Sequence, residues 1–180
     1  MKRYISLIMI ALATVCCTVQ GPICIDAPTR PAGQEDAVLM TAPAIDTVRV
    51  GFIGLGMRGS SAVSRYLHIP GAKVAAICDI EPAMVEKTQE RLRRAGYPEV
   101  PSYTGSEDAW KQLCERDDID LVYVVTDWKN HAKMGVYAME QGKHVAIEVP
   151  AAMTLEEIWS LVETSERTRK HCMQLENCVY

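Results

Sequence analysis

From Thr47 onward, the apolar positions of the chain alternate between two patterns. Short runs at Val48 to Ile53, Lys73 to Cys78, Val100 to Tyr103, Ile119 to Val125, His144 to Ile147 and Cys172 to Leu175 are mostly apolar and read as strands buried on both faces. Between them, apolar residues recur at helical spacing: Val63, Tyr66 and Leu67 within Ser60 to His68, then Met84, Val85, Thr88 and Leu92, then Trp110, Leu113 and Cys114, then Ala132, Val136 and Met139, then Ile158, Leu161 and Val162. The punctuation agrees: a turn at Gly96-Tyr97-Pro98, Ser106 as an N-cap, a stop at Gly142, and a capping box at Thr154-Leu155-Glu156-Glu157. Strand and helix in strict alternation predict an α/β fold, a doubly wound parallel sheet of Rossmann type with helices on both faces.

The N-terminus has a different texture. Lys2 and Arg3 precede an apolar run from Ile5 to Val15, interrupted only by Ser6 and Thr14. A membrane-spanning helix needs about 20 apolar residues, so residues 1–21 are expected to be a secretory signal, placing the protein in the periplasm or cell envelope. Cys16 and Cys17 stand where a lipoprotein cysteine would, so membrane attachment, if any, is expected through a lipid on Cys16. Residues 22–46 carry Pro22, Pro28, Pro31 and Pro43 and are expected to be a flexible linker, leaving 47–180 as the folded domain.

Composition narrows the class. Lys plus Arg total 19 against 23 Asp plus Glu, a net charge of −4, which argues against a nucleic-acid partner. An apolar fraction of 48% with 23% charged residues excludes a disordered chain. Seven cysteines in 180 residues are too sparse for a disulfide scaffold, although a Cys172 to Cys178 bridge stays open. His68, His131, His144 and His171 fall on separate elements, so no metal site is expected. A homo-oligomer also stays open.

Candidate chemistry begins at the end of the first strand. Gly54-Leu55-Gly56-Met57-Arg58-Gly59 is a G-x-G-x-x-G motif between a strand and a helix. The first glycine permits the tight turn, the second lets the backbone approach a pyrophosphate, and the third lets helix and strand pack closely. The helix start then offers free N–H groups and a positive dipole to phosphates. Asp79 ends the second strand, twenty residues beyond Gly59, where an acid accepts hydrogen bonds from the adenosine ribose and repels a 2′-phosphate. The expected cofactor is therefore NAD rather than NADP. Asp79 could equally cap the helix opened by Ile80-Glu81-Pro82.

Ligands of such sheets lie beyond the carboxyl ends of the strands. Polar clusters occur there after the fourth strand (Thr126, Asp127, Trp128, Lys129, Asn130, His131), after the fifth (Glu148, Val149, Pro150) and after the sixth (Glu176, Asn177). Trp128 could stack on a cofactor ring or be a packing residue. His131 could face the same cleft or be a solvated helix start.

Together the glycine loop, Asp79, the fourth-strand turn and Glu148-Val149-Pro150 resemble the N-terminal half of the Gfo/Idh/MocA family of sugar dehydrogenases. That family usually carries Glu-Lys-Pro after the fifth strand, its lysine assisting proton transfer; here Val149 takes the lysine position and cannot move a proton. The departure points to a branch. Met57-Arg58, Trp128-Lys129-Asn130-His131, Glu148-Val149-Pro150-Ala151-Ala152 and Leu175-Glu176-Asn177-Cys178 resemble glycoside hydrolase family 109, the NAD-dependent α-N-acetylgalactosaminidases.

This resemblance implies hydrolysis of a glycan bearing terminal N-acetylgalactosamine. NAD⁺ would oxidise C3 of the sugar, the aglycone would leave by elimination, water would add, and the hydride would return, unlike the two-carboxylate route of most glycosidases. It places Met57 and Arg58 along the phosphates, Asp79 on the ribose, and Trp128, Lys129, Asn130, His131, Glu148, Val149 and Asn177 on the nicotinamide side. No catalytic base is assigned in this chain. The family also carries a large C-terminal α+β domain, absent from these 180 residues, so a truncated chain inactive by itself is expected. The other open readings are a conventional sugar oxidoreductase and a non-catalytic Rossmann remnant.

Overall fold

The computed structural model describes residues 25–176. The signal-peptide expectation and Asn177 lie outside the described residues. Six strands, β1 (Val48–Ile53), β2 (Ala72–Cys78), β3 (Ser102–Tyr103), β4 (Leu121–Val124), β5 (His144–Glu148) and β6 (Cys172–Leu175), form one sheet in the order β3-β2-β1-β4-β5-β6. Every neighbouring pair is parallel. The strands alternate with α1 (Met57–Tyr66), α2 (Pro82–Arg94), α3 (Ala109–Cys114), α4 (Trp128–Glu140) and α5 (Leu155–Thr168). The order reverses at β1, so β1 and β4 flank the switch point where such sheets bind ligands.

Both faces of the sheet are apolar because both are covered. Val50, Phe52, Val74 and Ile77 pack with Val63 of α1 and Val85 and Leu92 of α2. On the opposite face Ile53, Val122, Val124, Val145 and Ile147 pack with Leu113 of α3, Met134 and Met139 of α4 and Leu161 of α5. Gly51 marks the closest approach: a Cβ there would lie 2.7 Å from both Leu113 Cδ2 and Ile119 Cδ1, so α3 reaches the sheet only over a residue without a side chain.

Local differences from the sequence reading have identifiable causes. α1 begins at Met57, not Ser60, because Gly56 is its N-cap and the helix starts inside the glycine motif. Asp108 occupies the N-cap of α3, while Ser106 accepts the Asp108 N–H at 3.2 Å in the turn before it. The capping box of α5 forms as expected. Ile158 does not turn inward: it is 46% exposed, and the buried stripe of α5 runs instead through Leu161, Thr164, Ser165 and Glu166.

Residues 25–46 contain no helix or strand, as their prolines require, yet this stretch is docked on the domain. Arg30 donates to both oxygens of Glu166 at 2.8–3.0 Å, and Gln34 Nε2 adds a bond of 2.8 Å. From the other side Arg169 Nη1 donates to the Asp36 carbonyl at 2.9 Å. Glu166 is nearly fully buried beneath these groups, and the bonds from Arg30 and then Gln34 hold its carboxyl below the ordinary glutamate range. Within the segment expected to be a linker, Arg30, Gln34 and Asp36 thus hydrogen-bond to α5 and the residue that follows it. Composition could not reveal this, because the partners are more than 130 positions apart.

The sign of the pH dependence follows. The folded-state value of Glu166 lies below the unfolded one, so the clamp contributes fully above the ordinary glutamate value of about 4.3 and is lost as pH falls through the lowered value. Glu166→Gln is expected to lower the thermal midpoint at neutral pH, and the gap from the unaltered chain should close on acidification. A gap that is absent at neutral pH, or constant with pH, would show that the clamp contributes nothing as an ion pair.

Candidate functional site

Two adjoining cavities open beyond the carboxyl ends of the strands on either side of the glycine loop. The larger, about 740 Å³, is lined by Gly54, Gly56 and Asp79 together with Asp127, Lys129 and Asn130. The smaller, about 370 Å³, is lined by Met57, Arg58, Trp128, His131, Glu148 and Val149. Gly56, Val125 and Thr126 line both, so the two form one continuous cleft across the switch point.

The glycine loop is shaped by close contact. Gly54 has φ +96°, a left-handed conformation that favours glycine, and a Cβ there would lie 2.4 Å from the Val125 carbonyl oxygen. Gly59 is tighter still, with a Cβ position 1.9 Å from the Gly54 carbonyl oxygen. Gly56 differs, since a Cβ there would meet nothing within 4 Å and would project into open space. The start of α1 has no side-chain cap and no acidic residue in its first turn. An uncapped helix start beneath a bare glycine fits a pyrophosphate, whose oxygens would accept from the first-turn N–H groups.

Asp79 is not the N-cap of α2, a position taken by Glu81; its carboxylate instead ties two turns together. Its Oδ1 accepts from Glu81 N–H at 2.9 Å, making the turn into α2, and its Oδ2 accepts from Leu55 N–H at 2.6 Å, pinning the glycine loop. A carboxylate has about four acceptor positions, so two ribose hydroxyls can still be accommodated.

After β4, Asp127 organises its neighbours: Asn130 Nδ2 donates to its Oδ1 at 2.6 Å, and Lys129 Nζ lies 3.5 Å from its Oδ2. Trp128 is 59% exposed and lines the smaller cavity, so the packing alternative does not describe it. His131 is fully buried rather than solvated. Its Nδ1 lies 2.8 Å from the Pro150 carbonyl oxygen and its Nε2 3.1 Å from that of Thr126. The ring borders the cleft, but its polar atoms are turned to the backbone, and it ties the loop after β4 to the loop after β5.

Tyr123 escaped the sequence reading because it sits inside an apolar strand. Its hydroxyl donates to Glu148 Oε1 at 2.9 Å. The only signal in the sequence was a polar-tipped residue in an otherwise aliphatic run. No cluster of His, Cys, Asp or Glu among the described residues could hold a metal ion.

A parallel sheet in this order, a glycine turn into an uncapped helix and an acid closing the second strand define a dinucleotide-binding domain. The chain belongs to the Gfo/Idh/MocA oxidoreductase family, whose NAD-binding Rossmann fold matches residues 48–175, and NAD is the cofactor this family's domain takes. It is 58% identical to glycosyl hydrolase family 109 protein 1 of Bacteroides thetaiotaomicron, covering all of this chain and 40% of that protein. It is also 58% identical to an alpha-N-acetylgalactosaminidase of Bacteroides fragilis, covering 82% of this chain and 34% of that protein. The chain thus spans 40% or less of the length of these relatives. Among solved structures, scyllo-inositol dehydrogenase of Lactobacillus casei with bound NAD(H) and scyllo-inositol shares the fold, with a TM-score of 0.61 at 23% identity, over 71% of this chain and 36% of that one.

Proposed function

We propose that this chain is the cofactor-binding part of an exported NAD-dependent glycosidase that removes terminal α-linked N-acetylgalactosamine. The observation that carries the reading is the cleft itself: a bare Gly56 and Asp79 on one side, and Glu148 beside Val149 on the other. Bound NAD⁺ would supply reversible oxidation at C3 of the sugar, which acidifies the C2 proton and permits elimination and hydration without net redox change. In that reading the first turn of α1 holds the pyrophosphate with Met57 and Arg58 alongside, and Asp79 accepts the adenosine ribose hydroxyls. Trp128 stacks at the rim, and Lys129 and Asn130 are held by Asp127 at its edge. Glu148 accepts hydrogen bonds from hydroxyl groups on the nicotinamide side, the side to which the family resemblance also assigns Asn177. Val149 provides an apolar surface where a lysine would move a proton, which favours a reaction other than simple sugar oxidation.

The experiment has two stages. Calorimetric titration of the 180-residue chain with NAD⁺ and NADP⁺ is expected to show preference for NAD⁺, lost in Asp79→Ala. A whole protein carrying this domain is expected to release p-nitrophenol from p-nitrophenyl α-N-acetylgalactosaminide without accumulating NADH at 340 nm. Stoichiometric NADH would instead identify a sugar oxidoreductase, the reading favoured by the family's name. Absence of NAD⁺ binding would identify a Rossmann fold that has lost its cofactor.

A further inference from the structure

We propose that Tyr123 is a positioning residue, holding the Glu148 carboxylate at the cleft so that the two side chains act as one unit toward a bound cofactor. The inference rests on the reading that this cleft takes NAD, and it adds a residue that does not itself line the cleft.

Strand register explains how the two groups meet. Tyr123 of β4 stands opposite Ala146 of β5, and Glu148 follows two residues later on the same face. The phenol reaches its diagonal neighbour toward the carboxyl end of the sheet, a contact within range of an aromatic side chain. The ring is fixed before the hydrogen bond forms. It stacks on Phe52 with centroids 5.3 Å apart and meets Tyr66 edge-on at 5.9 Å. Tyr123 is 4% exposed, and a buried phenol in an aromatic cluster needs a partner for its hydroxyl. Glu148 Oε1 is that partner, at 2.9 Å.

The direction of donation is also fixed. Burial first, then the bond to Glu148, push the Tyr123 phenol well above its ordinary value, so the proton stays on tyrosine and the carboxylate accepts. Glu148 lines the smaller cavity beside Arg58 and Val149, whereas Tyr123 lies behind it. With valine beside it, Glu148 has no lysine at the next position to hold its carboxylate. A rigid phenol with two side-chain torsions supplies that restraint from the adjacent strand.

The test is a double-mutant cycle of Tyr123→Phe and Glu148→Gln on the full chain, read by NAD⁺ calorimetry and, without ligand, by infrared difference spectroscopy of the carboxylate bands. Phenylalanine keeps the ring in its stack, so the far-UV spectrum and cooperative unfolding are expected to survive. Tyr123→Phe is expected to weaken NAD⁺ binding about three- to tenfold, less than the full worth of a hydrogen bond to a charged group because the phenol acts on the cofactor only through Glu148. It should weaken binding no further when Glu148 is already glutamine. In the ligand-free chain, Tyr123→Phe should shift a carboxylate stretch that is missing from Glu148→Gln. Unchanged affinity in Tyr123→Phe, or two substitutions whose effects simply add, would overturn the assignment, as would an unshifted carboxylate band. If the unaltered chain binds no NAD⁺, the cofactor reading fails, and the infrared result alone decides whether Tyr123 holds Glu148.

Discussion

Gly59→Ala is expected to destabilise the domain by about 3–5 kcal/mol, a large share of the 5–15 kcal/mol typical of a whole domain. The added methyl would lie 1.9 Å from the Gly54 carbonyl oxygen, 2.8 Å from its carbon and 3.0 Å from Val125 Cγ1. The obstruction is backbone, and it has little room to move. Gly54 is itself held at φ +96° with its own Cβ direction blocked by Val125, so shifting one glycine displaces the other, and the start of α1 with them. Gly56→Ala is the contrasting case. Nothing lies within 4 Å of its Cβ, so the thermal midpoint should hold while NAD⁺ binding falls, because the methyl occupies the space a pyrophosphate must approach. Thermal unfolding with NAD⁺ calorimetry on both variants separates the two roles. A Gly59→Ala chain as stable as the unaltered one would mean that α1 does not pack on the loop as described.

His131→Ala should be nearly as damaging, at about 2–4 kcal/mol. The substitution removes a fully buried ring and leaves the carbonyls of Thr126 and Pro150 without the group that now faces them. Asparagine can place an amide N–H close to where Nδ1 stands, so His131→Asn should recover part of the loss by restoring the bond to Pro150. Urea midpoints measure the series. If His131 acted chiefly by touching the cofactor, His131→Asn would lose NAD⁺ affinity at unchanged stability; as a strut between two loops, it should lose both together.

These two residues show where the sequence was legible. Gly54 and Gly59 could be assigned from their spacing because the constraint is steric and local: a strand must turn into a helix within six residues, and only a missing Cβ allows it there, whereas Gly56 is free of protein contacts and its spacing answers to the approach of a ligand. Asp79 was legible as an acid at the right distance, but its bond to Leu55 N–H was not, because the turn that presents that N–H forms only once β1 and β2 are paired. The alternatives for His131 were a cleft-facing ligand and a solvated helix start; the ring borders the cleft but is buried, with both nitrogens turned to backbone carbonyls, a tie that neither alternative described. That position depends on the path of the Pro150 loop, nineteen residues away.

The same division holds across the molecule. Period and punctuation determined the succession of strands and helices, the capping box of α5 and the glycine turn, since each is decided by neighbours within a few residues. The parallel Rossmann sheet followed, because alternating strands and helices can bury both apolar faces of a sheet in few other ways. Tertiary structure alone decided which polar groups meet: Arg30 with Glu166, Tyr123 with Glu148, and His131 with Thr126 and Pro150. Strand register and the docking of loops set those meetings, and each is a sum over many residues that no single segment of sequence contains.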